Sequence, residues 1–330
     1  MTDDPTAREL PRKSGGVVPA DAGAGGGAAT PSFARPAGAT PGLPGPLGST
    51  RLGPRTFEWG TRTYVMGILN VTPDSFSGDG LLAAGGDPVA AAVVLGRQMV
   101  EDGADVLDVG GESTRPGHED VPAREEANRV VPVIAALRAA LPETPISIDT
   151  TKPSVAAAAL DAGAHVVNDT WGVAADGRLA ELAGERGVPV VLMHNRAEAR
   201  YSNLLAEILA DLQRAIERAV RVGVRWADIV VDPGFGFGKA PEHNLALLHD
   251  LGALRLLGRP ILLGTSRKST LGKVLDLPAD QRLEATLATT ALAVAAGADI
   301  VRVHDVRPNV RVARMADAIV RGTWSGRQPE

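Results

Sequence analysis

Eight short apolar runs in this chain end in side chains that can do chemistry. In chain order the ends are Asn70, Asp108, Asp149, the pair Asn168 and Asp169, and the pair His194 and Asn195. Then come Asp232, the trio Ser266, Arg267 and Lys268, and finally Arg302, His304 and Asp305. Each residue alone has an ordinary reading. A lone aspartate after a strand often caps the next helix, which would suit Asp169 or Asp305. Arg302 alone could be an ion-pair partner, His194 a satisfied core histidine, and Phe235 and Phe237 covers for a cavity. Gathering so many polar groups for stability alone is costly, because like charges repel unless a ligand relieves them. The set therefore says more than any member.

Carboxylates accept well from a fork of N–H donors, the mirror image of an arginine–carboxylate pair. A 2-amino-4-oxopyrimidine edge presents such a fork, and Lys268 could donate to a carbonyl or ring nitrogen of the same heterocycle. Arg302 and His304 are two residues apart, so in a strand both face one side. That pair suits an anion such as diphosphate. The stretch "VVDPGFGFGKAPEHN" is not a nucleotide loop. Only three residues separate Gly234 from Gly238, Ala240 follows Lys239, and the three glycines alternate strictly. It reads as an aspartate at a strand end, a flexible loop and a helix start near Pro241. The segments "NVTPDSFSGDG" and "GGESTRPG" read as loops that close over a substrate.

These groups can meet only if the elements carrying them do. From Tyr64 onward, short apolar runs alternate with longer Ala-, Leu- and Arg-rich segments. The runs are "YVMGIL", "DVLDV", "ISID", "AHVVN", "PVVLM", "DIVVD", "PILLG" and "DIVRV". Continuous apolar runs are expected of parallel strands buried on both faces. The segments between them carry helical periodicity, and several end in glycine. A βα unit repeated eight times predicts an α/β fold, the (β/α)8 TIM barrel, whose active site lies at the C-terminal strand ends. The competing fold is an open doubly wound sheet, and its glycine fingerprint after the first strand is missing.

The chain has 330 residues, 44% hydrophobic and 22% charged, with a formal net charge of -5. That balance argues against a strongly basic nucleic-acid surface. There are no cysteines, so no disulfide, zinc–thiolate site or thiol nucleophile is available. This is compatible with a cytoplasmic protein. No run of about 18 apolar residues suggests a membrane span. Residues 1–54 are rich in Gly, Ala and Pro without apolar periodicity and read as a disordered N-terminal tail. "MTDDPTARELPRKSGG" lacks the apolar run of a signal peptide. Residues 55–324 read as the barrel and 325–330 as a frayed end.

Seven of these stretches together resemble a known family. "MGILNVTPDSFS", "GADVLDVGGESTRPG", "ISIDTTKP", "VVNDTWG", "DPGFGFGK", "GTSRKS" and "IVRVHDV" are similar, in the same order, to the signatures of the dihydropteroate synthases. The resemblance runs from about Phe57 to about Thr323. It implies a pterin-binding barrel enzyme of folate biosynthesis. Such a transferase joins 4-aminobenzoate to (7,8-dihydropterin-6-yl)methyl diphosphate, giving 7,8-dihydropteroate and diphosphate. Sulfonamides mimic the aminobenzoate, Mg2+ assists, and homodimers are common.

By the same resemblance, Asn70 matches the metal-associated asparagine, and Asp149, Asn168 and Asp232 match the pterin site. Lys268 matches a lysine between the pterin and aminobenzoate sides. Thr114 and Arg115 match the second loop, near the substrates. Arg302 and His304 match the diphosphate site, and Asp108 an aspartate beside diphosphate and metal. Phe76 and Pro116 match loop positions around the aminobenzoate, with Ser269 beside it. Catalysis would fall to Asp108, Arg115, Lys268 and Arg302. The first loop reads "SFSGDG" where the family has Ser-Phe-Ser-Asp-Gly-Gly, so Asp79 is displaced by one position. "LMHNR" also departs from the family, and no catalytic role passes to His194 or Asn195. Two further readings stay open: a corrinoid-dependent methyltransferase on a similar barrel, and a non-catalytic pterin-binding paralogue.

Overall fold

The structure is a computed structural model; it describes residues 47–71, 87–112, 121–172 and 176–324. Eight parallel strands form the sheet: β3 (Tyr64–Asn70), β4 (Val106–Gly110), β5 (Ile146–Asp149), β6 (Val166–Asp169), β7 (Val190–Met193), β8 (Ile229–Asp232), β9 (Leu262–Leu263) and β10 (Ile300–Val303). All eight fall on the predicted apolar runs. Each consecutive pair from β3 to β8 is joined in a parallel ladder, and β10 lies between β3 and β9. A parallel bridge between Val231 and Ile261 closes the ring. The fold is therefore the (β/α)8 barrel and not an open sheet.

Period-two alternation decides what each strand offers to which side. Met66, Val106, Val166, Val191, Val230, Leu262 and Ile300 form one apolar cluster inside the ring. Their strand neighbours, among them Val65, Leu107, Val167, Val190, Ile229 and Val301, belong to the larger cluster between ring and helices. Two residues beyond the inner layer stand Asp108, Asn168, Asp232 and Arg302. Buried Ser147 stands two residues before Asp149 and holds the corresponding inner place on β5.

A β-hairpin closes the other end. Strands β1 (Ser49–Leu52) and β2 (Arg55–Glu58) pair antiparallel. Leu52, Phe57 and Trp59 pack on the inner cluster with Tyr64. The rings of Phe57 and Tyr64 meet edge to face, 4.3 Å between centroids. Ser49–Leu52 lies inside the segment predicted to lack structure; its strand depends on a partner and a barrel floor that its composition does not reveal. Residues 1–46 and 325–330 lie outside the described residues.

Helices α1 (Pro88–Glu101), α2 (Ala123–Ala140), α3 (Pro153–Asp161), α4 (Arg178–Arg186) and α5 (Leu204–Arg221) follow the first, second, third, fourth and fifth barrel strands. Then come α6 (Pro241–His249), α7 (Ser269–Leu275), α8 (Leu283–Ala295) and α9 (Val306–Val320). Two differ from the periodicity reading. The helix expected to start near Pro241 ends at His249, and the chain continues as a 3-10 segment, Leu251–Leu257. The short α7 is hidden by its lack of an apolar stripe; it begins directly after Lys268, which is its N-cap residue. No helix among the described residues is long and apolar enough to cross a membrane.

Candidate active site

The polar layer above the inner cluster converges on Arg302. Its Nε donates to Asp108 Oδ2 at 2.6 Å and its Nη2 to Asp149 Oδ2, also at 2.6 Å. Asn168 Nδ2 donates to the same Asp108 oxygen at 3.0 Å. One guanidinium thus joins two carboxylates and, through Asp108, an amide from β4, β5, β6 and β10. All four are at least largely buried, Asp108 fully so. Asp108 Oδ1 and Ser147 Oγ have no hydrogen-bond partner among the described residues. Such a buried atom costs about 1–3 kcal/mol unless something meets it. A bound donor would offset that cost.

Asp232 is buried at the end of β8 and accepts from Gly234 N–H at 2.7 Å. Lys268 reaches across from the segment after β9. Its ammonium donates to the Phe235 carbonyl and lies 4.4 Å from the centroid of the Phe237 ring. The glycine loop makes this approach possible. Gly234 has φ of +69°, and a Cβ there would sit 1.8 Å from the His194 carbonyl oxygen. Gly236, at φ +83°, would place a Cβ 2.9 Å from Lys268 Cδ. Glycine serves here to let chains pass, not to cradle phosphate.

Burial dominates the electrostatics. It pushes Asp149 up to about 7 against the pull of Arg302, with Asp108 and Glu126 adding to the rise. Burial also raises Asp232, opposed by Lys268, and lowers Lys268 to about 8. At Arg302 the burial effect is overcome by Asp108 and Asp149, which hold the guanidinium charged. The site sets three buried carboxyl groups, Asp108, Asp149 and Asp232, against two cations, Arg302 and Lys268.

His304 stands one alternation beyond Arg302. Its backbone N–H donates to Ser266 Oγ at 3.1 Å, and that hydroxyl also meets His304 Nδ1 at 2.9 Å. Asn70, half-buried at the end of β3, shares the mouth with Asp149. A Cβ on Gly110 would lie 3.6 Å from Asp149 Cβ and 3.7 Å from Asn70 Oδ1. Ser269 is exposed in the first turn of α7. Phe76, Asp79, Thr114, Arg115 and Pro116 lie outside the described residues. The chain re-enters at Val121, whose N–H donates to Glu112 Oε1 at 3.1 Å. Lys152 binds that same Glu112 and, at 2.7 Å, the buried Glu126.

The neighbours of opposite parity face outward. Asp169 accepts from Trp171 N–H at 3.0 Å and caps the turn after β6. Asp305 makes no cap; it takes a two-point pair from Arg267 at 3.0 and 2.6 Å. His194 turns toward α5 and meets Asp211 Oδ2 at 3.1 Å. Sequence reasoning passes over Lys239, which closes "GFGFGK" and whose acceptors become visible only in three dimensions. Among the described residues no three His, Asp or Glu side chains are grouped to hold a metal ion by themselves.

Residues 66–304 match the family described as Pterin binding enzyme. The chain is 48% identical over 272 residues to the dihydropteroate synthase of Clostridium beijerinckii, covering 82% of this chain and 99% of that one. Among solved structures it is similar to the Clostridium difficile dihydropteroate synthase with pteroic acid. There the TM-score is 0.76 at 48% identity, covering 80% of this chain and 99% of the other. The Xanthomonas albilineans dihydropteroate synthase with 4-aminobenzoic acid gives a TM-score of 0.77 at 41% identity, covering 82% and 97%.

Proposed function

This chain belongs to the pterin-binding enzymes and, within them, to the dihydropteroate synthases, and from that membership we infer how its barrel mouth divides the work. The reaction is the condensation of (7,8-dihydropterin-6-yl)methyl diphosphate with 4-aminobenzoate to 7,8-dihydropteroate and diphosphate. The observation that carries the division is the bridge from Arg302 to Asp108 and Asp149 beside Asp232 and Lys268. It supports a flat, donor-rich ring held on one side and an anion on the other.

Asp232, Asn168 and Asp149 hold the pterin edge. The C–O bond at the pterin methylene breaks, and its electron pair leaves with the diphosphate. The electron-rich ring carries the developing cation, which the nearby carboxylates favour. The aminobenzoate nitrogen then forms the C–N bond and releases a proton to solvent or the departing anion. No enzyme nucleophile is needed, so positioning and charge supply the acceleration. Arg302 and His304 hold the diphosphate, and Lys268 stands between the two substrates. By the family resemblance, Phe76, Pro116 and Ser269 would complete this reading around the aminobenzoate, where a sulfonamide would compete, with Thr114 and Arg115 near the substrates.

Mg2+ fits as an ion carried on the diphosphate. Magnesium prefers oxygen ligands, keeps several waters and commonly takes one or two protein oxygens plus substrate phosphates. The Asn70 amide oxygen, beside Asp149 at the mouth, is a donor of that kind. When bound, the ion would neutralise charge on the departing group. Release of diphosphate and dihydropteroate on mixing both substrates tests the whole reading, and a chelator should suppress it. Binding of a pterin without any product would favour the non-catalytic alternative, and full turnover in chelator would remove the metal.

A homodimer belongs to the same reading. Leu292 on α8 and Met315 and Ile319 on α9 are exposed, 60%, 63% and 71% respectively, and α8 packs on α9. Sedimentation should report twice the chain mass, and Ile319→Lys should shift it toward the monomer; a monomeric wild type would end the idea. Cytoplasmic residence completes the proposal, and cell fractionation would test it.

A further inference from the structure

Lys239 is a half-buried lysine with no part in the chemistry above. Its Nζ meets three near acceptors, His194 Nδ1 at 2.9 Å, the Gly234 carbonyl at 3.0 Å and the Phe237 carbonyl at 3.1 Å, with the His194 carbonyl farther off at 3.5 Å. Burial lowers Lys239 to about 7 against the pull of Asp232; in its ammonium form its three N–H donors match the three nearer acceptors. Behind it stands His194, fully buried, whose Nε2 faces Asp211 Oδ2. Arg196 donates to that same Asp211 oxygen at 2.7 Å, and Arg214 pairs with the other. Burial of Asp211 is outweighed by these hydrogen bonds and charges, so its carboxyl is held below the usual range. An ionised carboxylate only accepts. His194 Nε2 must then carry the proton, which leaves Nδ1 as the acceptor Lys239 needs. Burial, with the Lys239 charge beside it, lowers His194 to about 4 and keeps the ring neutral.

The two carbonyls held by Lys239 bracket the turn at residues 234–237. Inside that bracket lie the two groups that hold Lys268: the Phe235 carbonyl, which accepts from Lys268 Nζ, and the Phe237 ring beneath it. Asn244 ties down the middle of the turn, accepting from Gly236 N–H at 2.7 Å. We propose that Lys239, oriented by His194 and Asp211, is a positioning residue for Lys268. It fixes the turn, and the turn fixes where the Lys268 ammonium sits. The inference rests on the reading that Lys268 acts between the two substrates.

A double-mutant cycle tests it, with kcat/KM measured for wild type, Lys239→Met, Lys268→Ala and the double variant. A displacement of about 1 Å remote from the chemistry can lower the rate about a hundredfold, and that is the loss expected of Lys239→Met alone. In the Lys268→Ala background the same change should cost less than about threefold, because coupled residues are not additive. Equal factors in both backgrounds would overturn the inference, since a purely structural lysine harms both alike. His194 supplies a second, independent pair should Lys239→Met not fold. His194→Asn keeps an acceptor near the Nδ1 position and should stay within about threefold of wild type, whereas His194→Leu should lose about as much as Lys239→Met. Equal losses in those two variants, or none in either, would also overturn it. The wild type separates the two levels of failure. If it makes no dihydropteroate, the functional reading falls and the inference with it; if it turns over but the cycle is additive, only the inference falls.

Discussion

Arg302→Ala is expected to lower kcat/KM by about three orders of magnitude, the scale seen when a charge-stabilising donor is removed from a transition state. The same substitution should also destabilise the fold. Arg302 bridges Asp108 and Asp149 at 2.6 Å each, and its side chain is 15% exposed. Removing one member of a buried charged set leaves the others uncompensated, at about 3–5 kcal/mol. The two losses can be told apart. Denaturant titration reads the second, and turnover at a temperature where the variant is folded reads the first. Arg302→Lys keeps the charge but not the planar fork that reaches both carboxylates, so it should recover part of the stability and little of the rate. A variant with wild-type turnover would remove Arg302 from the mechanism, whatever its stability.

Asp232→Asn is expected to act on stability and function in opposite directions. Burial raises the Asp232 carboxyl above its usual range, with Lys268 and the Gly234 N–H only partly opposing. A carboxyl whose folded pKa lies above its unfolded value weakens the fold once it must ionise. That penalty is full above the folded value, shrinks as pH falls below it, and is gone below the unfolded value. The amide removes the penalty and can still accept from Gly234, so folding stability at neutral pH should hold or rise. Pterin affinity should fall, because an acceptor of paired N–H donors has become half donor. Losing a hydrogen bond to a charged group costs about 1.5–3 kcal/mol, so roughly a tenfold to hundredfold loss is expected by calorimetry. The wild type should lose pterin affinity as pH falls through the Asp232 value, and the variant should be much flatter. Wild-type pterin affinity in Asp232→Asn would refute the assignment of β8 to the pterin site.

Both arguments rest on strand parity, which can be counted along the chain alone. The inward residues of a strand alternate with the outward ones. The same count that turns Val106, Val166, Val230 and Ile300 inward also turns Asp108, Asn168, Asp232 and Arg302 inward. It turns Asp169 and His194 the other way, toward a turn and toward α5. The eight apolar runs, the glycine-ended helices between them and the polar strand ends are all properties of adjacent residues. So is the ordered set of motifs. A chain carries such properties wherever it goes, because they follow from covalent geometry and the period of two.

What eluded the sequence was either too short to show a period or depended on contacts made only in the folded chain. The hairpin strand Ser49–Leu52 sits in a stretch of low apolar content and exists because Arg55–Glu58 and the barrel floor meet it. The short α7 has too few residues to show a period. Lys239 reads as the last letter of a glycine motif until His194, Gly234 and Phe237 surround its ammonium. Residue types and their order determined by themselves that this would be an eight-stranded α/β barrel with acids, amides and cations at one end. Which acid Arg302 grips was decided only when the ring closed and brought positions 194 and 153 residues away within 2.6 Å. Hydrogen-bond partners are chosen by register around the barrel, and register is a property of the assembled sheet, not of any one strand.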